Sequence, residues 1–337
     1  MQKKYISTAQ LPLSNLRETG FLDPLHPEEI SKIFTLQKQY ISTPDKTDPP
    51  SRFLYRECVL RNCKSPGEIK AFAIEFALQI KAGEKPILPQ TLLSELQSVT
   101  DHENEREFYF IHQMIEALAG QVFHTVISVI QTLQESVTLK SDLPLHSLNL
   151  ELKEAAQRFD LINQIMSVFN DYIPPEKFTV YRSALGRASG AQSPLRFLDY
   201  LLLEQESDCE NTCPEAFNQK LPSQLQNRFK SICKNEATRS RKLSESSTEF
   251  VKRFAKDLEE DYPQFLTTTS TSLASLRSQS PILAEGINEL ITQRAIFKLW
   301  HYDIVLTQLF DKEKGTGGTK FEPFLRKSFL KDYHQIR

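Results

Sequence analysis

Glycine is scarce in this chain, with ten residues in 337, under half the usual share of roughly 7%. Turn-rich β folds use glycine freely, so the shortage argues against them and for helices. Five of the ten sit in two short segments, Gly186 with Gly190 and Gly315 with Gly317 and Gly318, where the backbone is expected to take φ > 0 or to approach something closely. Cysteine is sparse and odd in number: Cys58, Cys63, Cys209, Cys213 and Cys233 form no C-x-x-C pair, and no histidine stands at finger spacing. That pattern argues against a disulfide framework and a zinc finger and for reduced thiols in a cytoplasmic protein. No uninterrupted apolar run nears the ~18 residues of a bilayer span, and the N-terminal MQKKYISTAQLPLS lacks the apolar h-region of a secretory signal. An excess of one charge is missing too, since 41 Lys and Arg stand against 43 Asp and Glu. No global field draws the chain to nucleic acid or to anionic lipid, and neither is expected as a partner.

What is present is a chain 39% apolar and 10% aromatic, long enough for two domains or for one large helical domain with an appendage. Helical spacing of apolar residues recurs throughout. Helices are expected at about 27–41, 52–62, 66–82 (stopped by Gly83), 89–98, 101–135 and 147–171, the last ended by IPPEK. Ser193 followed by Pro194 reads as a cap with proline at the first helical position, so a helix should start there. Shorter candidates lie at 214–235 and 246–265, and a Ser/Thr-rich surface segment, TTTSTSLASLRSQS, precedes a long helix at about 282–311 and a last one in FEPFLRKSFLKDYHQ. The 101–135 run carries Phe108, Ile111, Ile115, Leu118, Val122, Val126, Val129 and Leu133 on one stripe. No strand-like alternation of useful length occurs, so the fold class is all-α. Residues 1–100 read as a helical N-terminal region and 101–337 as the main domain.

Three local features bear on chemistry. In EFYFIHQMIE, Phe108, His112, Ile115, Glu116 and Ala119 share a helix face, which aims His112 into a bundle; packing alone accounts for many such histidines. In ITQRAIFKLWHYDIVLTQLF, Phe297, His301, Ile304 and Val305 line one stripe. An imidazole there needs a partner for its ring nitrogens, and a metal or a haem iron is one candidate. The third feature is the pair of small-residue segments SALGRASGAQS at 183–193 and GTGGT at 315–319. Exposed amides in such loops cradle anionic groups, although GTGGT lacks the phosphate-loop spacing and serves equally as a connector.

Taken in order, F-x-x-x-H-Q-x-x-E at 108–116, YRSALGRASGAQS at 181–193, and a helical His301 followed by KGTGGT resemble the tryptophan 2,3-dioxygenase superfamily of haem enzymes over about residues 101–335. The resemblance implies a helical bundle enclosing a b-type haem, with His301 as the proximal iron ligand and His112 on the distal side. It implies an oxygenase that opens the indole C2–C3 bond of L-tryptophan, or of a related indole, with O2 to give N-formylkynurenine, the entry reaction of the kynurenine pathway. By the same resemblance Phe108 packs on the indole, Ser189 and Gly190 line the pocket, Arg196 pairs with the substrate carboxylate, and Thr316 contacts the amino acid end or a haem propionate. A homo-oligomer is also implied. Ala191 stands where the tryptophan branch has Phe, which with W-H-x-x-I-V is closer to the indoleamine branch. Arg182 and Arg187 are alternatives to Arg196, and a gap-free count to Gly315 would put Tyr302 on the ligand position. Two other outcomes stay open, a haem monooxygenase of a tryptophan derivative and a non-catalytic haem-binding or interaction protein.

Overall fold

A computed structural model describes residues 66–98, 100, 102–139, 144–185, 215–237, 280–309 and 321–333, with single positions at 195, 198, 202, 277 and 336. Of these residues 86% are helical and none lies in a strand, so the described part is all-α. The helices expected at 27–41, 52–62 and 246–265, the start of the one at Ser193-Pro194, and both glycine-rich segments lie outside the described residues.

The helices are α1 (Pro66–Lys81), α2 (Gln90–Glu95), α3 (Glu103–Leu139), α4 (Leu145–Ser167), α5 (Phe169–Tyr172), α6 (Pro175–Leu185), α7 (Glu215–Lys220), α8 (Ser223–Ala237), α9 (Pro281–Gln308) and α10 (Phe321–Tyr333). Their ends follow local chemistry. Gly83 has φ 82°; its amide donates to the Ile80 carbonyl and that of Glu84 to the Gln79 carbonyl, both at 2.9 Å, the paired closure that a left-handed glycine permits. Val168 departs from helical geometry (φ −109°, ψ 7°), which divides the run expected at 147–171 into α4 and α5. No helix is read from the sequence between IPPEK and Ser193, yet Pro175 opens α6 at the first helical position, where a missing N–H costs nothing. Pro222 separates α7 from α8, since the residue before a proline is pushed out of helical conformation.

By packing, the chain divides into two compact units interleaved in sequence: Met1–Gly120, Gln164–Pro194 and Ile304–Phe321 form one, and Gln121–Asn163, Leu195–Asp303 and Glu322–Arg337 the other. The first unit's core joins α1 to the start of α3 and to α5: the rings of Phe72 and Phe110 are 5.5 Å apart and those of Phe76 and Tyr172 5.6 Å. The Tyr172 hydroxyl donates to the Pro86 carbonyl. Gln308 Nε2 donates to Asn170 Oδ1 at 2.8 Å and to the Ile173 carbonyl at 2.5 Å, tying the end of α9 to the α5–α6 turn.

In the second unit α4 runs against α9. Phe159 meets Phe297 with ring centroids 5.9 Å apart, Asn163 Nδ2 donates to the Gln293 carbonyl at 3.0 Å and to its Oε1 at 2.9 Å, and Asn149 Oδ1 accepts from the Gly286 amide. Phe217, Phe229, Phe329 and Tyr333 form an aromatic cluster joining α7, α8 and α10. Arg294 and Asp332 are both buried and 3.4 Å apart. Arg277, from the Ser/Thr-rich segment expected at the surface, is buried, and its Nη1 donates to Asn288 Oδ1 at 2.9 Å.

The α3 helix differs from its expected single stripe. From Tyr109 to Gly120 every residue except His112 is buried, the pattern of a helix surrounded on all sides rather than one lying on a surface. The stretch Asn104–Leu133 is therefore long and apolar enough to cross a membrane by length and composition, and it is mostly buried inside the protein, as core helices are.

Candidate functional site

The first turn of α3 is built by its own acids. Glu105 stands at the third helical position and turns back to accept from the Thr100 amide at 2.7 Å and from the Thr100 hydroxyl, a variant of the capping box in which a carboxylate also meets the positive helix end. Asn104 Nδ2 donates to Glu107, and the Tyr109 hydroxyl donates to Glu105. This ordered start fixes the rotation of the helix and thereby aims Phe108 and His112, one turn apart, in the same direction.

Phe108 and His112 are half-buried and their rings lie 4.1 Å apart with a 38° tilt. The Nδ1 of His112 is 2.8 Å from the Phe108 carbonyl oxygen. A carbonyl only accepts, so Nδ1 is a ring nitrogen that carries a hydrogen. Three further aromatic rings complete the surroundings within the same unit. Phe169 stands edge-on to His112 at 5.8 Å, while Phe178 and Tyr181 of α6 lie 5.6 and 5.8 Å from Phe108. Phe169 and Phe178 were not singled out as site residues from the sequence. Their only local signal is Phe178 and Tyr181 at i, i+3 on α6, just before the small-residue segment.

His301 belongs to the second unit, on α9. It is half-buried and stacks on Phe297, ring centroids 6.2 Å apart at 18°, with Trp300 and Tyr302 buried on either side of it in sequence. Tyr302 is committed elsewhere: its hydroxyl donates to Glu322 at 3.1 Å, and the guanidinium of Arg228, itself 2.8 Å from Asp303, lies over its ring at 5.9 Å. Burial first, and then the Glu322 carboxylate, push the Tyr302 phenol up to about 12, which disfavours the phenolate an iron would require. Imidazole is a ligand type that haem iron takes, so His301 is a residue that could hold a haem. Among the described residues no group of three or more His, Cys, Asp and Glu side chains is placed to hold a bare metal ion.

Ser189, Gly190, Arg196 and Thr316 lie outside the described residues, as do Ala191 and Arg187. Of the residues expected to act together, Phe108 and His112 are brought into contact. Compared with known proteins, the chain matches no family model and no curated protein.

Proposed function

We propose that this protein is a haem-dependent oxygenase of an indole, similar in its chemistry to the tryptophan 2,3-dioxygenases and yielding an N-formylkynurenine-type product from L-tryptophan or a related indole. The observation that carries the reading is the Phe108–His112 pair. An indole presents a flat apolar ring and one N–H. The pair offers an aromatic face 4.1 Å from an imidazole whose Nδ1 faces the Phe108 carbonyl, and the indole N–H would be received at the other ring nitrogen. That matches the donor of the ring and orients it, and orientation of a bound reactant is a large part of what an enzyme adds to a cofactor reaction.

A bound haem would supply the activation of O2. His301 would hold it, and the apolar residues of α9 would help keep water out. Arg196 would pair with the substrate carboxylate, Ser189 and Gly190 would line the ring pocket, and Thr316 would contact the amino acid end. The test is a reaction of reduced, haem-loaded protein with L-tryptophan and isotopically labelled O2. A product heavier by two oxygen atoms, both labelled, is expected, with no external reductant consumed in proportion. His112→Ala should retain haem and lose about 1–3 kcal/mol of transition-state stabilisation, roughly tenfold or more in turnover. A gain of one oxygen atom, or unchanged turnover in His112→Ala, would contradict the assignment.

A further inference from the structure

Beside the ring pair, at the start of α3, two buried polar atoms have no protein partner. Tyr181 is 0% exposed, yet its hydroxyl makes no hydrogen bond, and Nδ1 of His102 is likewise buried and unmatched. The two rings are neighbours, tilted at 46° with centroids 6.0 Å apart. A buried donor or acceptor left unmade costs about 1–3 kcal/mol, so both atoms call for a partner that the protein does not itself supply, a water or the polar group of a ligand.

The surrounding charge decides which group. Glu105 is fully buried and holds its carboxylate in place through Thr100 and Tyr109. Burial, followed by Glu105 and Glu107, raises the Tyr181 phenol far above its ordinary range, which keeps the hydroxyl neutral and records a negative field at that point. An anion is repelled there and a cation attracted. Aromatic faces add to the preference: Tyr181 packs against Phe108 at 5.8 Å and Phe178 at 5.7 Å, and such faces attract ammonium groups. The row of rings from His102 through Tyr181 and Phe108 to His112 therefore runs from a cation-favouring end to the end that accepts an N–H.

We infer that the Tyr181 hydroxyl, with Glu105 behind it and His102 beside it, receives a protonated amine, so that the ligand of this site is an arylalkyl ammonium rather than a bare or anionic aromatic ring. The inference rests on the proposed placement of the aromatic ring at Phe108 and His112, from which a short alkyl chain spans one ring spacing to Tyr181.

Calorimetric titration of the full chain with tryptamine, 3-ethylindole and indole-3-propionate tests both layers separately. Tryptamine is expected to bind at least about tenfold more tightly than 3-ethylindole, as one charge-assisted hydrogen bond allows, and the affinity of indole-3-propionate, whose carboxylate would meet Arg196 instead, should not depend on the Tyr181 hydroxyl. Tyr181→Phe, which keeps the ring and its packing, should remove most of tryptamine's advantage and leave 3-ethylindole unchanged. If 3-ethylindole binds but tryptamine binds no better, or if its advantage survives Tyr181→Phe, the amine subsite is overturned while the ring site stands; in that case water is what meets Tyr181. If none of the three binds, the ring site fails and this inference with it.

Discussion

The backbone amide of Gly286 lies 2.9 Å from Oδ1 of Asn149, where α9 crosses α4. A methyl group at position 286 would stand 2.7 Å from that oxygen, 2.9 Å from the Asn149 carbonyl oxygen and 2.9 Å from Leu152 Cβ. Two of those three atoms belong to the backbone or to the root of a side chain and have little freedom to yield. Gly286→Ala is therefore expected to cost about 1–3 kcal/mol through forced separation of the helices, read as a lower denaturant midpoint at constant slope. Gly67, with nothing within 4 Å of an added Cβ, is the control: Gly67→Ala should leave the midpoint unchanged or raise it slightly.

Arg294 is completely buried, 3.4 Å from the equally buried Asp332. Burial lowers the Arg294 pKa and the Asp332 carboxylate opposes that shift. Asp332→Asn takes a carboxylate away from a buried guanidinium and is expected to lose about 3–5 kcal/mol. Replacing both residues together, as Arg294→Met with Asp332→Leu, should recover most of the loss. A single variant as stable as wild type would show that the guanidinium is neutralised by other means.

The pH dependence of stability should carry the mark of His124 on α3. Burial lowers its pKa from the usual 6.5, and its Nε2 is buried without a hydrogen-bond partner. The folded protein therefore holds this imidazole neutral where the unfolded chain protonates it. Below pH 6.5 the unfolded state binds the extra proton, so the stabilisation is full above that value and is lost as pH falls through the folded-state pKa. His124→Leu should show a shallower fall in denaturant midpoint between pH 7 and 5. An unchanged slope would mean that the imidazole is already solvated.

How much of this was readable in the sequence depends on whether the cause is local. Gly83 ends α1 through bonds to residues three and five positions back, and Phe108 meets His112 one turn away on the same helix, so both were legible. The burial of α3 between Tyr109 and Gly120, His112 excepted, was only half legible, because the apolar stripe accounts for one face while Tyr109 and Gln113 are buried away from it. Gly286 gives no local sign at all, since its need for a small side chain comes from Asn149, 137 positions away. The same holds for the polar end of the ring row: Glu105 and Tyr181 are ordinary residues on two separate helices until packing sets their side chains together.

Haem titration bears most directly on the central claim. Full-length protein titrated with haemin is expected to develop a Soret band that saturates at one haem per chain. His301→Ala should lose the band or bind haem much more weakly while its far-ultraviolet circular dichroism stays helical. Tyr302→Phe should bind like wild type, because the hydroxyl it removes is engaged with Glu322. No Soret band in the wild-type protein, or a band kept by His301→Ala and lost by Tyr302→Phe, would contradict the account.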